Sequence, residues 1–206
     1  MIAIVFATDR EAAPFLLKAG LDVTGERGRT VFDLRPGRQV VICICGMGPK
    51  AALENMRRLL DDYPVVSVIN AGAAGAVSEG KRPGDVFRIT STLVWPAISG
   101  AYQCMSKRWL DLQTASLATV ERPVFDPELR REIAVSADLV DMEGAFVAQA
   151  CREKGIPFDA IKGVTDLAGE GDRQTLYANL DNVSGAIADL IWKELNKEGT
   201  EDQGHK

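Results

Sequence analysis

The stretch "ADLVDMEGAFVAQACREKGIPFDAIKGVTD", residues 137–166, decides the fold of this chain. Two apolar, strand-like runs, "ADLVDME" and "FDAIKGVTD", flank "FVAQACREKG", which has the apolar face of a helix. The order strand, helix, strand predicts an α/β architecture. Asp141 and Glu143 lie at the joint between the first strand and the helix. Charge at such a joint is tolerated when it is solvated, caps the helix or binds a ligand.

The same alternation of strands and helices continues along the chain. Buried strands and amphipathic helices are predicted in "IAIVFAT", "VVSVINAG", "GDVFRITSTLVW", "GPKAALENMRRLLDDY" and "LYANLDNVSGAIADLIWKELNK". The sequence therefore predicts a three-layer α/β/α sandwich around a mixed, mostly parallel central sheet. Residues 96–118 are weakly patterned. We expect one domain over residues 1–196 and a disordered polar tail over residues 197–206.

Composition and charge exclude several classes of function. The 206 residues carry a net charge of −5 and no basic tract, so a nucleic acid is not expected as a partner. No apolar run reaches the roughly 20 residues that a membrane span requires. The N-terminus "MIAIVFATDREA" lacks the basic region and the cleavage site of a signal peptide, and we expect a cytoplasmic protein.

Histidine and cysteine usage narrows the chemistry. The only histidine, His205, lies in the polar tail, which leaves none for a base or a metal ligand in the folded part. The four cysteines form no Cys-x-x-Cys motif and are interpreted as free thiols. We therefore expect neither a metal nor another cofactor, and carboxylates must perform any proton transfer.

Ligands of such sheets collect at the carboxyl ends of the strands. Five segments follow predicted strands: "ATDRE", "GMGP", "NAGAAGA", "DMEG" and "TDLAGEGD". Three of them carry carboxylates and two are rich in glycine. Each has a structural alternative, because Thr8-x-x-Glu11 fits a capping box, Glu143 fits a solvated surface charge, and Asp166 fits a helix cap or an Asx-turn. Together, the acids predict one constellation at the same edge.

Three segments resemble the signatures of the purine nucleoside phosphorylase/nucleosidase superfamily: "NAGAAGA" (70–76), "VDMEGAFVAQACREKGIPF" (140–158) and "IKGVTDLAGEGD" (161–172). The most similar subgroup is the 5′-methylthioadenosine/S-adenosylhomocysteine nucleosidases. The resemblance runs from the first strand to about residue 192 and is poor over roughly 93–120. It implies the phosphorylase/hydrolase-like fold. "GMGPKAA", "RPV" and "VDME" also resemble adenosylhopane nucleosidases.

The resemblance implies a role for each matching position. Glu11 would deprotonate the attacking water, and Asp166 would protonate N7 of the departing purine. Met142 and Glu143 would bind the ribose. The remaining expected site residues are Gly48, Ala73 and Lys162 at the water or anion pocket, and Val120, Arg122 and Thr165 at the base. Asp166 would then need its pKa raised from about 3.9 toward 7 by burial and a like-charged neighbour, and Glu11 would stay ionised beside Lys162.

The implied activity is hydrolysis of the N-glycosidic bond of a 5′-modified adenosine. Phosphorylases of this family carry an Arg and a Ser where this chain has Asn70 and Ala73, and therefore water is favoured over phosphate as the nucleophile. The alternatives are an adenosylhopane or futalosine-type nucleosidase, a nucleoside phosphorylase and a catalytically weak nucleoside-binding protein. The implied partners are a small purine nucleoside and further copies of the chain, in a homo-oligomer.

Overall fold

The computed structural model of the protein describes residues 1–21, 28–97, 101–104, 108–169 and 173–197. The strands in these ranges are β1 (Ile2–Phe6), β2 (Arg29–Arg35), β3 (Arg38–Ile44), β4 (Ser67–Ala76), β5 (Val86–Val94), β6 (Tyr102–Gln103), β7 (Thr114–Thr119), β8 (Leu139–Asp141) and β9 (Phe158–Leu167). The helices there are α1 (Asp9–Lys18), α2 (Pro49–Asp62), α3 (Pro127–Ala134), α4 (Gly144–Glu153) and α5 (Arg173–Lys197). Of the predicted tail, residues 197–206, only Lys197 is described, as the last residue of α5, and residues 198–206 lie outside the described ranges.

The strands form one mixed sheet. Their order is β2-β3-β1-β4-β8-β7-β5-β6, and β9 pairs with both β4 and β5. Among the described strands five pairings are parallel and four are antiparallel. The pairing runs from β4 through β9, β5, β7 and β8 back to β4, so the second half of β4 has strands on both sides. β4 contains the whole of "NAGAAGA" (70–76), which the sequence had placed just past a strand.

Helices cover both faces of this sheet, which confirms the predicted three-layer sandwich. On one face α1 and α5 pack together over a core that includes Phe15 and Ile191. On the other face α2 and α4 pack over a second core that includes Met56 and Val147. A third, smaller cluster lies around Ile133 of α3. None of the described helices combines the length and the hydropathy that would let it cross a membrane.

Local chemistry explains where the helices at the ligand edge begin. Thr8 accepts a hydrogen bond from the backbone N–H of Glu11 and Glu11 reaches back to the N–H of Thr8, so the predicted capping box of α1 is confirmed. α2 begins with Pro49 after Gly48, whose φ of +87° suits glycine. Before α4, Asp141 Oδ2 accepts the N–H of Gly144 at 2.9 Å. Both α1 and α4 therefore begin at acidic side chains that lie at one edge of the sheet.

Two parts of the sequence prediction differ from the structure. Strand β7 begins within the weakly patterned residues 96–118 and was not predicted, because its small and polar residues carry little pattern. Pairing with β5 on one side and β8 on the other holds it in place. Strand β8 is shorter than predicted, since it ends at Asp141 and Glu143 already stands at the N-cap of α4. Asp141 and Glu143 therefore do not continue one strand face.

Candidate active site

A cavity of about 530 Å³ opens at the carboxyl edge of the sheet. All five segments that the sequence placed at this edge contribute to its lining. The acidic residues of the lining are Glu11, Asp141, Glu143 and Asp166. Most of the remaining wall is apolar and includes Met47, Val120, Val124, Phe125, Val140, Leu176 and Leu180. The cavity has the size and the mixture of apolar walls and a few convergent polar groups that small-molecule sites show.

Glu11 lies at the first turn of α1 and is 7% exposed. Its Oε2 accepts hydrogen bonds from the N–H of Thr8 at 2.9 Å and from the Thr8 hydroxyl at 3.0 Å. Its Oε1 accepts the backbone N–H of Ala73 at 2.8 Å. The capping box thus fixes a carboxylate that also lines the cavity. The structural interpretation and the functional one apply to the same side chain.

The small residues of β4 make this position of Glu11 possible. A Cβ atom placed on Gly72 would lie 2.6 Å from Glu11 Oε1, and Gly72 has a φ of +153°. Such a contact is too short for any side chain to be accommodated without movement of the carboxylate. Ala73, predicted at the water or anion pocket, lines the cavity and supplies its N–H to Glu11. "NAGAAGA" is therefore the backbone platform on which Glu11 rests.

Glu143 and Met142 lie in the short segment between β8 and α4, and both line the cavity. Glu143 Oε1 accepts the backbone N–H of Gly48 at 2.7 Å. Gly48 was expected at the water or anion pocket, but it is not among the lining residues and its N–H is directed to Glu143 instead. The glycine turn before α2 therefore positions the carboxylate of Glu143.

Lys162 was expected at the water or anion pocket and beside Glu11, and the charge of Glu11 does act on it. It lies in the middle of β9, is not among the lining residues, and its Nζ is 2.9 Å from Asp141 Oδ2. The two side chains are 3% and 1% exposed, so this is a buried ion pair beneath the cavity. Asp141 Oδ1 also accepts the Thr119 hydroxyl at 2.6 Å. Neither Asp141 nor Thr119 was predicted as a site residue; the spacing of Asp141, two residues before Glu143, is the one sequence signal for it.

Asp166 lies near the end of β9 and is 7% exposed. Thr165 Oγ1 donates to Asp166 Oδ1 at 2.7 Å, and Asn179 of α5 donates to the carbonyl of Thr165 at 2.7 Å. Burial raises the pKa of Asp166 above its usual value, and the hydrogen bond from Thr165 offsets part of this rise. The direction and the role of burial agree with the expectation, whereas the expected contribution of a like-charged neighbour is not among the causes of this rise.

The like-charged neighbours act on Glu143. Burial, the largest cause, raises the pKa of Glu143 to about 7, and the negative charges of Asp141 and Glu11 add to the rise. The charge of Lys162 and the N–H of Gly48 act in the opposite direction. The pKa of Lys162 is lowered by burial, but the three carboxylates outweigh this effect and raise it above the usual value.

The two residues expected at the base separate in the structure. Val120 is buried and lines the cavity, whereas Arg122 is exposed and is not among the lining residues. Arg10 lines the cavity without having been predicted there. Its guanidinium donates to Asp181 of α5 at 2.8 and 3.0 Å. The wall that α5 supplies had no signal in the sequence, because it depends on how α5 packs against α1.

Comparisons with known proteins agree with this architecture. The profile of the Phosphorylase superfamily matches residues 1–193. The 5′-methylthioadenosine/S-adenosylhomocysteine nucleosidase of Bacillus subtilis (strain 168) is 26% identical over 192 residues, which cover 78% of this chain and 82% of the relative. The futalosine hydrolase of Helicobacter pylori strain 26695 has a TM-score of 0.84 at 17% identity, over 95% of this chain and 97% of that chain.

A second solved structure has the same fold. The 5′-methylthioadenosine/S-adenosylhomocysteine nucleosidase of Colwellia psychrerythraea 34H matches with a TM-score of 0.80 at 23% identity, over 95% of this chain and 94% of that chain. The profile match extends from the first strand into the last helix and includes every residue of the cavity. The chain therefore belongs to the Phosphorylase superfamily.

Proposed function

We propose that the protein is a purine nucleosidase that hydrolyses the N-glycosidic bond of a 5′-modified adenosine, of the methylthioadenosine or adenosylhomocysteine type. The observation that carries the proposal is the meeting of Glu11, Glu143 and Asp166 around one cavity. Breaking a glycosidic bond passes through an oxocarbenium-like transition state, and carboxylic groups that surround the sugar supply the acid and the base.

Asp166 is the general acid of the proposed reaction. Adenine is a poor leaving group as an anion, and a proton on its N7 removes that charge. A carboxyl group donates a proton only while it is protonated, and burial raises the pKa of Asp166 in that direction. Because Oδ1 accepts the hydroxyl of Thr165, the proton to be donated belongs on Oδ2.

Glu11 is the general base. The water oxygen bonds to the anomeric carbon of the sugar while the bond from that carbon to N9 of adenine breaks. The electron pair of the broken bond passes to adenine, whose N7 receives the proton of Asp166. The proton of the water passes to Glu11, which the N–H groups of Thr8 and Ala73 hold in place. The products are adenine and the free sugar.

Glu143 binds the sugar in this proposal. Its Oε1 is held by Gly48, and an ionised carboxylate accepts hydrogen bonds from sugar hydroxyls. Met142 provides apolar wall beside it. Met47 and Tyr177 line the cavity and are 70% and 51% exposed. We propose that a second copy of the chain covers these two residues in a homo-oligomer.

Water is favoured over phosphate as the nucleophile. Phosphate needs arginine or lysine side chains around its oxygens. Arg10 is the one basic side chain among the described residues that line the cavity, and its guanidinium is bound to Asp181 and to the carbonyl of Tyr177. The curated relative from Bacillus subtilis is named a nucleosidase, and the Colwellia structure is a complex with adenine. Both support hydrolysis of an adenine nucleoside.

A cytoplasmic location is part of the proposal, because Cys43, Cys45, Cys104 and Cys151 are all free, as is usual in a reducing compartment.

The test of the activity is adenine release from methylthioadenosine, adenosylhomocysteine, adenosine and inosine, with and without phosphate. We expect phosphate-independent turnover and a preference for the 5′-modified adenosines. Ribose 1-phosphate products would identify a phosphorylase, and release of no base from any member of the panel would overturn the proposal.

A further inference from the structure

A single ammonium group lies among three carboxylates beside the cavity. Lys162 Nζ is paired with Asp141 Oδ2 at 2.9 Å, and both side chains are almost completely buried. The charges of Asp141, Glu143 and Glu11 all act on Lys162. With the carboxylates ionised, the cluster formed by the ammonium and the three carboxylates carries more negative than positive charge. The surplus lies where the proposed function places the sugar.

Helix capping alone does not account for a charged Asp141. Its two oxygens accept the N–H of Gly144 and the hydroxyl of Thr119, but a neutral side-chain oxygen caps a helix equally well. Burying a carboxylate with an ammonium is costly unless its geometry and hydrogen bonds compensate. A buried pair at the wall of a cavity therefore points to a use for its charge.

The charges of Asp141 and Lys162 both change the pKa of Glu143, which lies next to them at the cavity. Oε1 of Glu143 accepts the N–H of Gly48, whereas Oε2 accepts no hydrogen bond from the described part of the chain. Oε2 is therefore the oxygen that remains for the hydroxyl groups of a sugar. It accepts hydrogen bonds from them only while Glu143 is ionised, because protonation converts one of the two oxygens into a donor.

We propose that Asp141 and Lys162 are positioning residues of the reaction, which together set the charge of Glu143 and thereby its hydrogen bonding to the sugar of the substrate. The proposal rests on the nucleosidase function proposed above. The two residues act on Glu143 in opposite directions. Asp141 disfavours ionised Glu143 by like-charge repulsion, and Lys162 favours it by attraction.

The groups that face Glu143 come from four elements. Asp141 lies at the end of β8, Lys162 in β9 and Glu11 in α1, and all three change its pKa. Cys45, in the segment after β3, also feels the charge of Glu143. Burial raises the pKa of the Cys45 thiol well above its usual value, so the thiol stays neutral across the working pH range. The ionisable groups that set the charge of Glu143 are therefore Asp141, Lys162 and Glu11.

The test is the pH dependence of kcat/KM for adenine release between about pH 5 and pH 9, which reports the free enzyme. In the wild type the acid limb should lie at about 7, where activity falls as Glu143 is protonated. In Asp141→Asn the limb should move to lower pH by about one unit, and in Lys162→Met to higher pH by about one unit. Lys162→Arg keeps the charge and should keep the wild-type limb.

A matched control is available three residues from Asp141. Asp138→Asn makes the same chemical change at an acid that also pairs with a lysine, Lys81, but does not line the cavity. Its acid limb should coincide with that of the wild type. The proposal would be overturned if the acid limb stayed at the wild-type pH in both Asp141→Asn and Lys162→Met. It would also be overturned if the limb moved in the same direction in both variants.

A second measurement separates this proposal from the proposed function. The carboxyl group of Glu143 can be titrated by ¹³C NMR in the substrate-free protein, with Glu143→Gln assigning the signal. The titration should occur at about 7 in the wild type and should shift in opposite directions in the two variants. If the wild type releases no base, the function fails while this titration still decides the inference. An equal titration midpoint in all three proteins refutes it.

Discussion

An aspartate lies at each end of β8, Asp138 just before the strand and Asp141 as its last residue, and the two have different surroundings. Asp138 precedes the strand and has one lysine and two serines as partners: Lys81 at 3.0 Å, the hydroxyl of Ser78 at 3.1 Å, and the N–H and hydroxyl of Ser116 at 2.9 Å each. Although burial opposes it, these donors lower the pKa of Asp138 to about 2. Asp141 ends the strand, where a single lysine serves three carboxylates and the pKa of Glu143 rises to about 7.

The difference lies in the balance of partners rather than in burial alone. At the Asp138 end donors match the acceptors, and the carboxylate stabilises the fold in its charged form. At the Asp141 end the carboxylates outnumber the cations, so the group must take up a proton or bind a ligand that donates hydrogen bonds. An excess of buried acid at the wall of a cavity is therefore the feature that marks the site.

The largest effect is expected from Asp166→Asn, at the acid that has a hydroxyl partner but no salt bridge among the described residues. Loss of a general acid lowers kcat by about two to four orders of magnitude. Because the pKa of Asp166 is raised, wild-type activity should also decline as pH rises through that pKa, and the variant should lose this alkaline limb. If Asp166→Asn had the wild-type rate constant in single-turnover measurements, another group would be the proton donor.

Gly72→Ala should displace Glu11 without removing it. The new Cβ would lie 2.6 Å from Glu11 Oε1, so the carboxylate must move, and misplacement of a catalytic group by about 1 Å costs about 10²-fold in rate. The measurement is kcat for adenine release. Gly185→Ala in α5 is the control, since nothing lies within 4 Å of its new Cβ. Equal kcat values for the two variants would contradict the role of Gly72.

Glu143→Gln should stabilise the protein at alkaline pH while it impairs activity. The folded state holds a proton on Glu143 up to about pH 7, compared with 4.5 for an ordinary glutamate, so ionisation destabilises the fold progressively as pH rises between these values. Glutamine does not ionise, and the variant should gain on the order of 1–3 kcal/mol in free energy of unfolding at pH 8. Urea unfolding at pH 8 and pH 4 measures this gain, which should vanish at pH 4, below the pKa of an ordinary glutamate.

Asp138→Asn should have the smallest effect, and of the opposite sign. The lowered pKa of Asp138 means that its carboxylate stabilises the fold above about pH 4 and that this contribution is lost as pH falls toward 2. After allowance for the partial exposure of the side chain, the variant should lose about 1 kcal/mol at pH 7. Urea unfolding from pH 7 to pH 3 should show the two proteins converging. A stability gain at pH 7 would remove the contrast between the two ends of β8.

Features that depend on residues close together in the chain, such as helix caps, could be predicted from the sequence. The capping box at Thr8 and Glu11 needs only residues three apart, and the α3 cap at Asp126 precedes a proline in the usual order. The alternation of strands and helices placed Glu11, Glu143 and Asp166 at the same edge of the sheet. That edge now contains the cavity that all three line.

Features that depend on packing could not be predicted. Strand β7 forms because two neighbouring strands pair with it, not because its residues favour a strand. The family resemblance placed Gly48 at a water or anion pocket, but the direction of its N–H depends on where Glu143 lies, 95 residues away. Lys162 was expected beside Glu11, but its ion pair with Asp141 was not, because the pair forms between β8 and β9, two strands that both pair with β4.

The sequence by itself determined the kind of fold and the kind of chemistry, because the strand-helix alternation and the lack of a histidine outside the tail are properties of residue order and composition. The tertiary structure decided which acids of the site have a raised pKa. The charge of a buried carboxyl group depends on desolvation and on neighbours a few ångströms away. For Glu143 those neighbours come from α1, β8, β9 and the turn before α2, which meet only in the folded chain.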